Sequence, residues 1–69
     1  MDALRLLSEG DERVRLGALA VLEELCRADP ALAPGTVAVV RAAMAVWEET
    51  GTRTGRLDAA AERLLAAHR

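Results

Sequence analysis

One stretch of the sequence limits the possible folds more than any other. Residues 36–47 (TVAVVRAAMAVW) contain a single charged residue, Arg41. A helix built from this stretch is apolar on almost every side, and such helices belong in a protein interior. In a chain of 69 residues, few other segments are left to form that interior. We therefore expect the remaining segments to be helices packed around residues 36–47, which gives an all-α fold.

Two segments before the apolar stretch predict helices. Residues 2–8 (DALRLLS) contain three leucines and are followed by Gly10, which can adopt the left-handed conformation that closes a short helix. Asp11 is a suitable N-cap, because its carboxylate can accept the backbone N–H of the third helical residue. A long helix over residues 12–27 is expected to follow.

The apolar stretch and the segment after it predict two more helices. Thr36 is expected to cap the apolar helix, which runs to about residue 49 and stops at Gly51. The last helix is entered between residues 52 and 57 and continues almost to the end of the chain. The prediction is a compact arrangement of four helices in a single all-α domain over residues 1–69.

The loop between the two long helices is placed at residues 28–35 (ADPALAPG), where two prolines disfavour helix in the residues that precede them. Leu32 is expected to enter the core from this loop. Gly17 inside the long helix costs about 1 kcal/mol relative to alanine, which is tolerable if another backbone approaches closely there. Helical spacing predicts two buried faces. They are Val14, Ala18, Val21, Leu22 and Leu25, widened by Leu16, Leu19 and Cys26, in the long helix, and Leu57, Ala60, Ala61, Leu64 and Leu65 in the last helix.

The composition argues against several kinds of binding site. A net charge of −2 and the absence of lysine argue against a nucleic-acid surface, which is normally basic. Cys26 and His68 are each the only residue of their type, so we expect no intrachain disulfide, metal or cofactor. A chain this small buries only about 60% of its unfolded surface and often relies on a disulfide, a metal or a partner. A protein partner therefore remains, either further copies of this chain or a larger assembly.

The beginning of the chain has no apolar segment typical of a signal peptide, because Asp2 and Glu9 interrupt it. We also expect the longest apolar stretch to be shorter than the roughly 20 residues that a membrane helix needs. These features predict a cytoplasmic protein. Abundant alanine, arginine, leucine and glycine indicate a GC-rich coding sequence, as in high-GC bacteria.

No residue pattern predicts catalysis, and we do not expect an enzyme. The adjacent pairs Glu23-Glu24 and Glu48-Glu49 point about 100° apart on a helix and do not converge. Cys26 has no base near it in the sequence, since His68 is at the other end. Trp47 is compatible with core packing or with an interface, where tryptophan is enriched. The candidate interface residues are Val40, Met44 and Trp47.

The chain contains a weak internal repeat. At an offset of 41 residues, GDERVRLGALA (10–20) aligns with GTRTGRLDAAA (51–61), with five identities that include Arg15 over Arg56. An offset of 41 lies within the roughly 40–47-residue period of stacked helical pairs. The repeat units would be residues 1–27 and 36–69.

This pattern resembles the HEAT-repeat family, in which an Asp-bearing turn precedes a helix that opens with Val-Arg and continues with Ala and Leu. The matching positions begin with Asp11 and Val14-Arg15, whereas the second unit has Thr52 and Gly55 in place of the aspartate and the valine. The resemblance implies a HEAT-like helical-pair or bundle arrangement. It also implies a structural ladder of charged residues between repeats, with Asp11, Arg15 and Arg56 as candidates.

The preferred function is a small protein–protein interaction module, a scaffold, adaptor or small subunit that buries apolar helix faces and self-associates. The alternative is a helical regulator associated with nucleic acid, which the acidic charge and the absence of a recognition helix disfavour. The two differ in one property, because phosphate contacts make binding strongly dependent on salt.

Overall fold

The structure, a computed structural model, describes Leu7 and residues 11–68. This part of the chain forms three α-helices, which we name α1 (Glu12–Ala28), α2 (Ala33–Thr50) and α3 (Gly55–Ala67), and a 3₁₀ turn at Pro30–Leu32. The all-α prediction is confirmed, with three helices in the described residues where four were expected for the chain. Apart from Leu7, the helix predicted over residues 2–8 lies outside the described residues.

Helix α1 begins and ends close to where capping chemistry predicts. The Asp11 carboxylate accepts the backbone N–H of Arg13 at 2.8 Å, so it serves the second helical residue rather than the third. At the other end the N–H of Asp29 donates to the carbonyl of Leu25 at 2.9 Å. The predicted helix over residues 12–27 is confirmed to within one residue.

The connection between α1 and α2 is shorter than predicted, and two expectations about it are wrong. The Asp29 carboxylate accepts the N–H of Ala31 and starts the 3₁₀ turn, and α2 follows at Ala33. Pro34 lies in the first turn of α2, where a proline sacrifices no helical hydrogen bond. Thr36 is therefore a buried residue inside the helix and not its cap. Leu32 is 45% exposed instead of entering the core.

Helix α2 ends where predicted, and the glycine that follows it, Gly51, is left-handed. Gly51 has φ 71°, and the N–H of Thr52 donates to the carbonyl of Trp47 at 2.8 Å. This pattern satisfies carbonyl groups that the helix end leaves without partners. The Thr54 hydroxyl then accepts the N–H of Leu57 and caps α3, inside the predicted entry region.

Two ion pairs show how the helices are oriented. Arg56 lies 4.0 Å from Glu12, and Arg63 lies 3.6 Å from Glu23. The residues near the start of α1 and α3 contact each other, and so do residues further along both helices, so α1 and α3 run parallel. Helix α2, which connects them in the chain, runs back in the opposite direction. The side chains that the three helices share form the core with Leu7. Its apolar members are Leu7, Ala18, Leu19, Leu22, Cys26, Val40, Met44, Trp47, Leu57, Ala61, Leu64 and Leu65.

The predicted buried faces are largely confirmed, with differences on α1. Leu25 is 46% exposed, and Arg15, a candidate for the charged ladder, is only 7% exposed. Gly17 is exposed, and a Cβ atom built on it meets nothing within 4 Å. Within the described part of the chain, the close backbone approach expected at Gly17 is therefore absent.

We expect substitution by alanine to change the free energy of unfolding in opposite directions at Gly17 and Gly51. Gly51→Ala places a Cβ in the left-handed region and should lower the free energy of unfolding by about 1–2 kcal/mol. Gly17→Ala should raise it by about 0.5–1 kcal/mol, because helical φ/ψ suits alanine and nothing obstructs the new methyl group. Urea denaturation followed by circular dichroism measures both. A destabilising Gly17→Ala would contradict the open surroundings of that residue.

Candidate interaction surface

Helix α2 has two apolar faces that differ in side-chain size. The inner face carries Thr36, Val40, Met44 and Trp47, spaced four, four and three residues apart, and all four are buried. They lie against side chains of α1 and α3. The interface candidates Val40, Met44 and Trp47 are therefore not at the surface of the single chain.

Trp47 is held at the centre of this packing by two polar contacts. Its indole Nε1 donates to the carbonyl of Leu7 at 2.9 Å, and its side chain is 2% exposed. The guanidinium carbon of Arg15 lies 5.9 Å from the ring centroid, within the range of a cation–π interaction. Trp47 thereby links α2 to Arg15 in α1 and to Leu7, which precedes α1 in the chain.

The outer face of α2 is also apolar but is left uncovered. Its exposed residues are Gly35, Ala38, Ala42, Ala45 and Val46, of which Val46 is 52% exposed. They follow helical spacing, so they form a continuous strip roughly opposite Trp47. An uncovered apolar strip along most of a helix is typical of a surface that binds another molecule.

Charged residues flank one side of this strip. Arg41 and Glu48 lie seven residues apart on α2 and share a groove of about 440 Å³ between α2 and α3 with Arg53 and Glu62. Arg53 donates to Glu48 at 3.2 Å and to Asp58. The pKa of the Arg53 guanidinium is raised, chiefly by the hydrogen bond to Asp58, so Arg53 stays charged. Among the described residues Arg41 makes no ion pair within 4 Å.

A second exposed apolar patch lies on α1. Ala20, Val21, Leu25 and Ala28 line a shallow concavity of about 490 Å³, with Glu24 at its edge. This patch includes Leu25, which sequence periodicity predicts in the core. It is shorter than the α2 strip, and its largest side chain is at the end of its helix.

The three ladder candidates occupy different environments. Asp11 is the N-cap of α1, and Arg15 is buried over Trp47. Arg56 is exposed and reaches Glu12, the residue next to Asp11, so the charge contact between α1 and α3 in this region is Glu12–Arg56. Whether Asp11, Arg15 and Arg56 form a ladder between repeats stays a prediction.

Sequence reasoning misses the outer face of α2, although a signal for it is present. By composition the stretch is apolar on all sides, and the largest side chains are the natural interface candidates. Residue size divides the helix, however, because Gly35, Ala38 and Ala42 recur on the side away from Val40 and Trp47. In this helix the larger side chains Val40, Met44 and Trp47 are buried in the core, and the small ones are on the other face.

By length and composition alone, the helical segment Pro30–Thr50 could cross a membrane. The expectation that no apolar stretch is long enough is therefore not met. The core helix of a soluble protein satisfies the same two criteria, but only 17% of the apolar window is buried within the chain, with Val40 and Trp47 among the buried residues of α2.

Comparison of the chain with protein-family models, with curated proteins and with solved structures found no match.

The environment of Trp47 predicts a large cost for a conservative change. Trp47→Phe retains a large ring but removes the N–H donor to the Leu7 carbonyl and weakens the contact with Arg15. It should lower the free energy of unfolding by about 1–3 kcal/mol. Val46→Ala, on the exposed side of the same helix, is the control and should change it by less than about 0.5 kcal/mol. Equal effects of the two changes in urea denaturation would contradict the different roles of the two faces.

Proposed function

We propose that this protein is a small interaction module that acts by burying the outer face of α2 against another protein, and that it self-associates. In this role it serves as a scaffold, an adaptor or a small subunit of a larger assembly. The observation that carries the proposal is the uncovered apolar strip from Gly35 to Val46. We place the module in the cytoplasm, because α2 packs its large apolar side chains against the chain's own helices.

The strip has the properties of a contact surface. It runs along the three turns from Gly35 to Val46, and its side chains are short, so a second helix can approach closely. Short apolar side chains also lose little conformational entropy when they are ordered at an interface. The residue facing solvent at the end of the strip, Glu49, is charged, and the flank carries Arg41 and Glu48, which resembles the polar rim of protein interfaces.

The orientation of the helices supports the HEAT-like part of the proposal. Stacked helical pairs place equivalent helices of successive units side by side and parallel. The ion pairs Glu12–Arg56 and Glu23–Arg63 join residues 44 and 40 positions apart, close to the 41-residue offset of the internal repeat. We therefore propose α1 and α3 as the equivalent helices of two HEAT-like units. Such arrays are stabilised by further units, which a second chain could supply.

A matched pair of substitutions tests the proposed surface. Ala42 lies in the middle of the strip, and Ala59 is an exposed alanine on α3. Ala42→Arg should reduce the mass of the protein to that of a single chain, because a long charged side chain prevents close approach of another helix. Ala59→Arg should leave the mass of the wild-type assembly unchanged. Light scattering or sedimentation equilibrium from about 1 µM to about 1 mM covers the affinity range of small interfaces.

Trp47 fluorescence provides the folding control in the same experiment. Because Trp47 is buried within the single chain, its emission should stay blue-shifted in both variants and at every dilution. A wild-type mass of one chain at all concentrations would contradict self-association. An assembly that Ala42→Arg leaves intact would show that another surface, such as the α1 patch, mediates it.

A further inference from the structure

The outer face of α2 has a repeat that fits a helix pair. Gly35, Ala38, Ala42, Ala45 and Glu49 follow one another at intervals of three, four, three and four residues. This spacing averages 3.5 residues and defines the seam along which two helices pack. Val39, which is partly buried against the chain's own core, and the exposed Val46 flank the seam on one side, and the exposed Arg41 and Glu48 flank it on the other. Small residues alone do not identify a partner, whereas the two flanks do.

We infer that the occupant of this seam is a second copy of the chain, bound antiparallel through α2 about a two-fold axis. This inference rests on the proposed self-association and specifies its surface, orientation and pairing. A two-fold axis perpendicular to two antiparallel helices brings the same flank of each helix to the same side. Arg41 then faces the partner's Glu48, and Val39 faces the partner's Val46.

Both flanks place the two-fold axis at nearly the same position along α2. The midpoint between Arg41 and Glu48 lies at position 44.5, and the midpoint between Val39 and Val46 lies at position 42.5. With an axis between the two midpoints, each pair is offset by about 3 Å along the helices, which the long Arg41 and Glu48 side chains span easily and which places the two valines diagonally across the seam. An axis near residues 43 and 44 therefore forms both kinds of contact twice, as the symmetry of a homodimer requires.

The charges favour the antiparallel pair over the parallel one. In a parallel pair the two flanks exchange, so Arg41 and Glu48 would face the apolar flank with Val39 and Val46. In the antiparallel pair Arg41 gains an ion pair that the described part of its own chain does not supply.

The size of the seam determines how strong the dimer is. One helix face from each chain buries less than the roughly 1,200 Å² of a standard stable interface. The seam residues are also nearly all Gly and Ala, which contribute little apolar area each. The dimer is therefore reversible, and its formation depends on protein concentration.

Charge reversal followed by mixing tests the inference on the full chain. Arg41→Glu alone creates two Glu–Glu contacts across the seam, and Glu48→Arg alone creates two Arg–Arg contacts, so each variant should dimerise roughly tenfold or more weakly than wild type. In a mixed dimer the new glutamate of one variant faces the new arginine of the other, and the unchanged Arg41 and Glu48 face each other. The equimolar mixture should therefore recover the wild-type mass. Sedimentation equilibrium of each variant and of the mixture measures this.

Two controls separate the contact from general effects of charge. Arg56→Glu makes the same charge change as Arg41→Glu at an exposed position of α3, and it should dimerise like wild type. Circular dichroism checks the fold, since Glu48→Arg also removes the exposed ion pair with Arg53.

The outcomes distinguish this inference from the proposed function. A wild-type dimer that neither charge variant weakens would overturn the α2 pairing and leave self-association standing. Variants that are weakened but do not recover on mixing would overturn the antiparallel orientation. A wild-type monomer that instead binds vesicles of phosphatidylcholine and phosphatidylglycerol would overturn both, because the strip would then be a membrane-contacting surface.

Discussion

The structure depends on the way Trp47 is buried. Its indole fills the space between the helices, donates to the Leu7 carbonyl and lies beneath the Arg15 guanidinium. These contacts fix the rotation of α2 about its own axis, because a helix with Trp47, Met44 and Val40 inward must present the opposite residues to solvent. One large aromatic side chain thus decides which face of an almost wholly apolar helix becomes core and which becomes surface.

The division of α2 by size explains why an apolar face can remain exposed in a small protein. Gly35, Ala38 and Ala42 each expose little apolar area, so the cost of leaving them in water is small. The same short side chains allow another helix to come close, which larger residues would prevent. An interaction surface of this type is compatible with a folded single chain, whereas exposed leucines over the same length would favour aggregation.

The sequence predicts those features that depend on local chemistry. The roles of Asp11 and Gly51 and the entry to α3 follow from it because capping depends on a few neighbouring residues. The loop predicted at residues 28–35 is too long. Proline is found both in loops and in the first turn of a helix, so the sequence around Pro34 does not show that it already belongs to α2. Leu25 is exposed although helical spacing predicts it in the core, and Arg15 is buried, since burial depends on neighbours from other helices. An arginine can be buried when its charge lies over an aromatic ring and its stem packs with apolar groups.

The packing of the single chain separates folding from association. Val40, Leu57, Ala61 and Leu64 are fully covered by the chain's own helices, so the large side chains of the core need no second copy. Obligate dimers differ, because their subunits share a core and have no stable folded monomer. In this protein, association through α2 would add contacts to a core that is already complete. A substitution on the outer face is therefore expected to change the affinity between chains without changing the fold, whereas a substitution at Trp47 is expected to weaken the fold and, through it, the association.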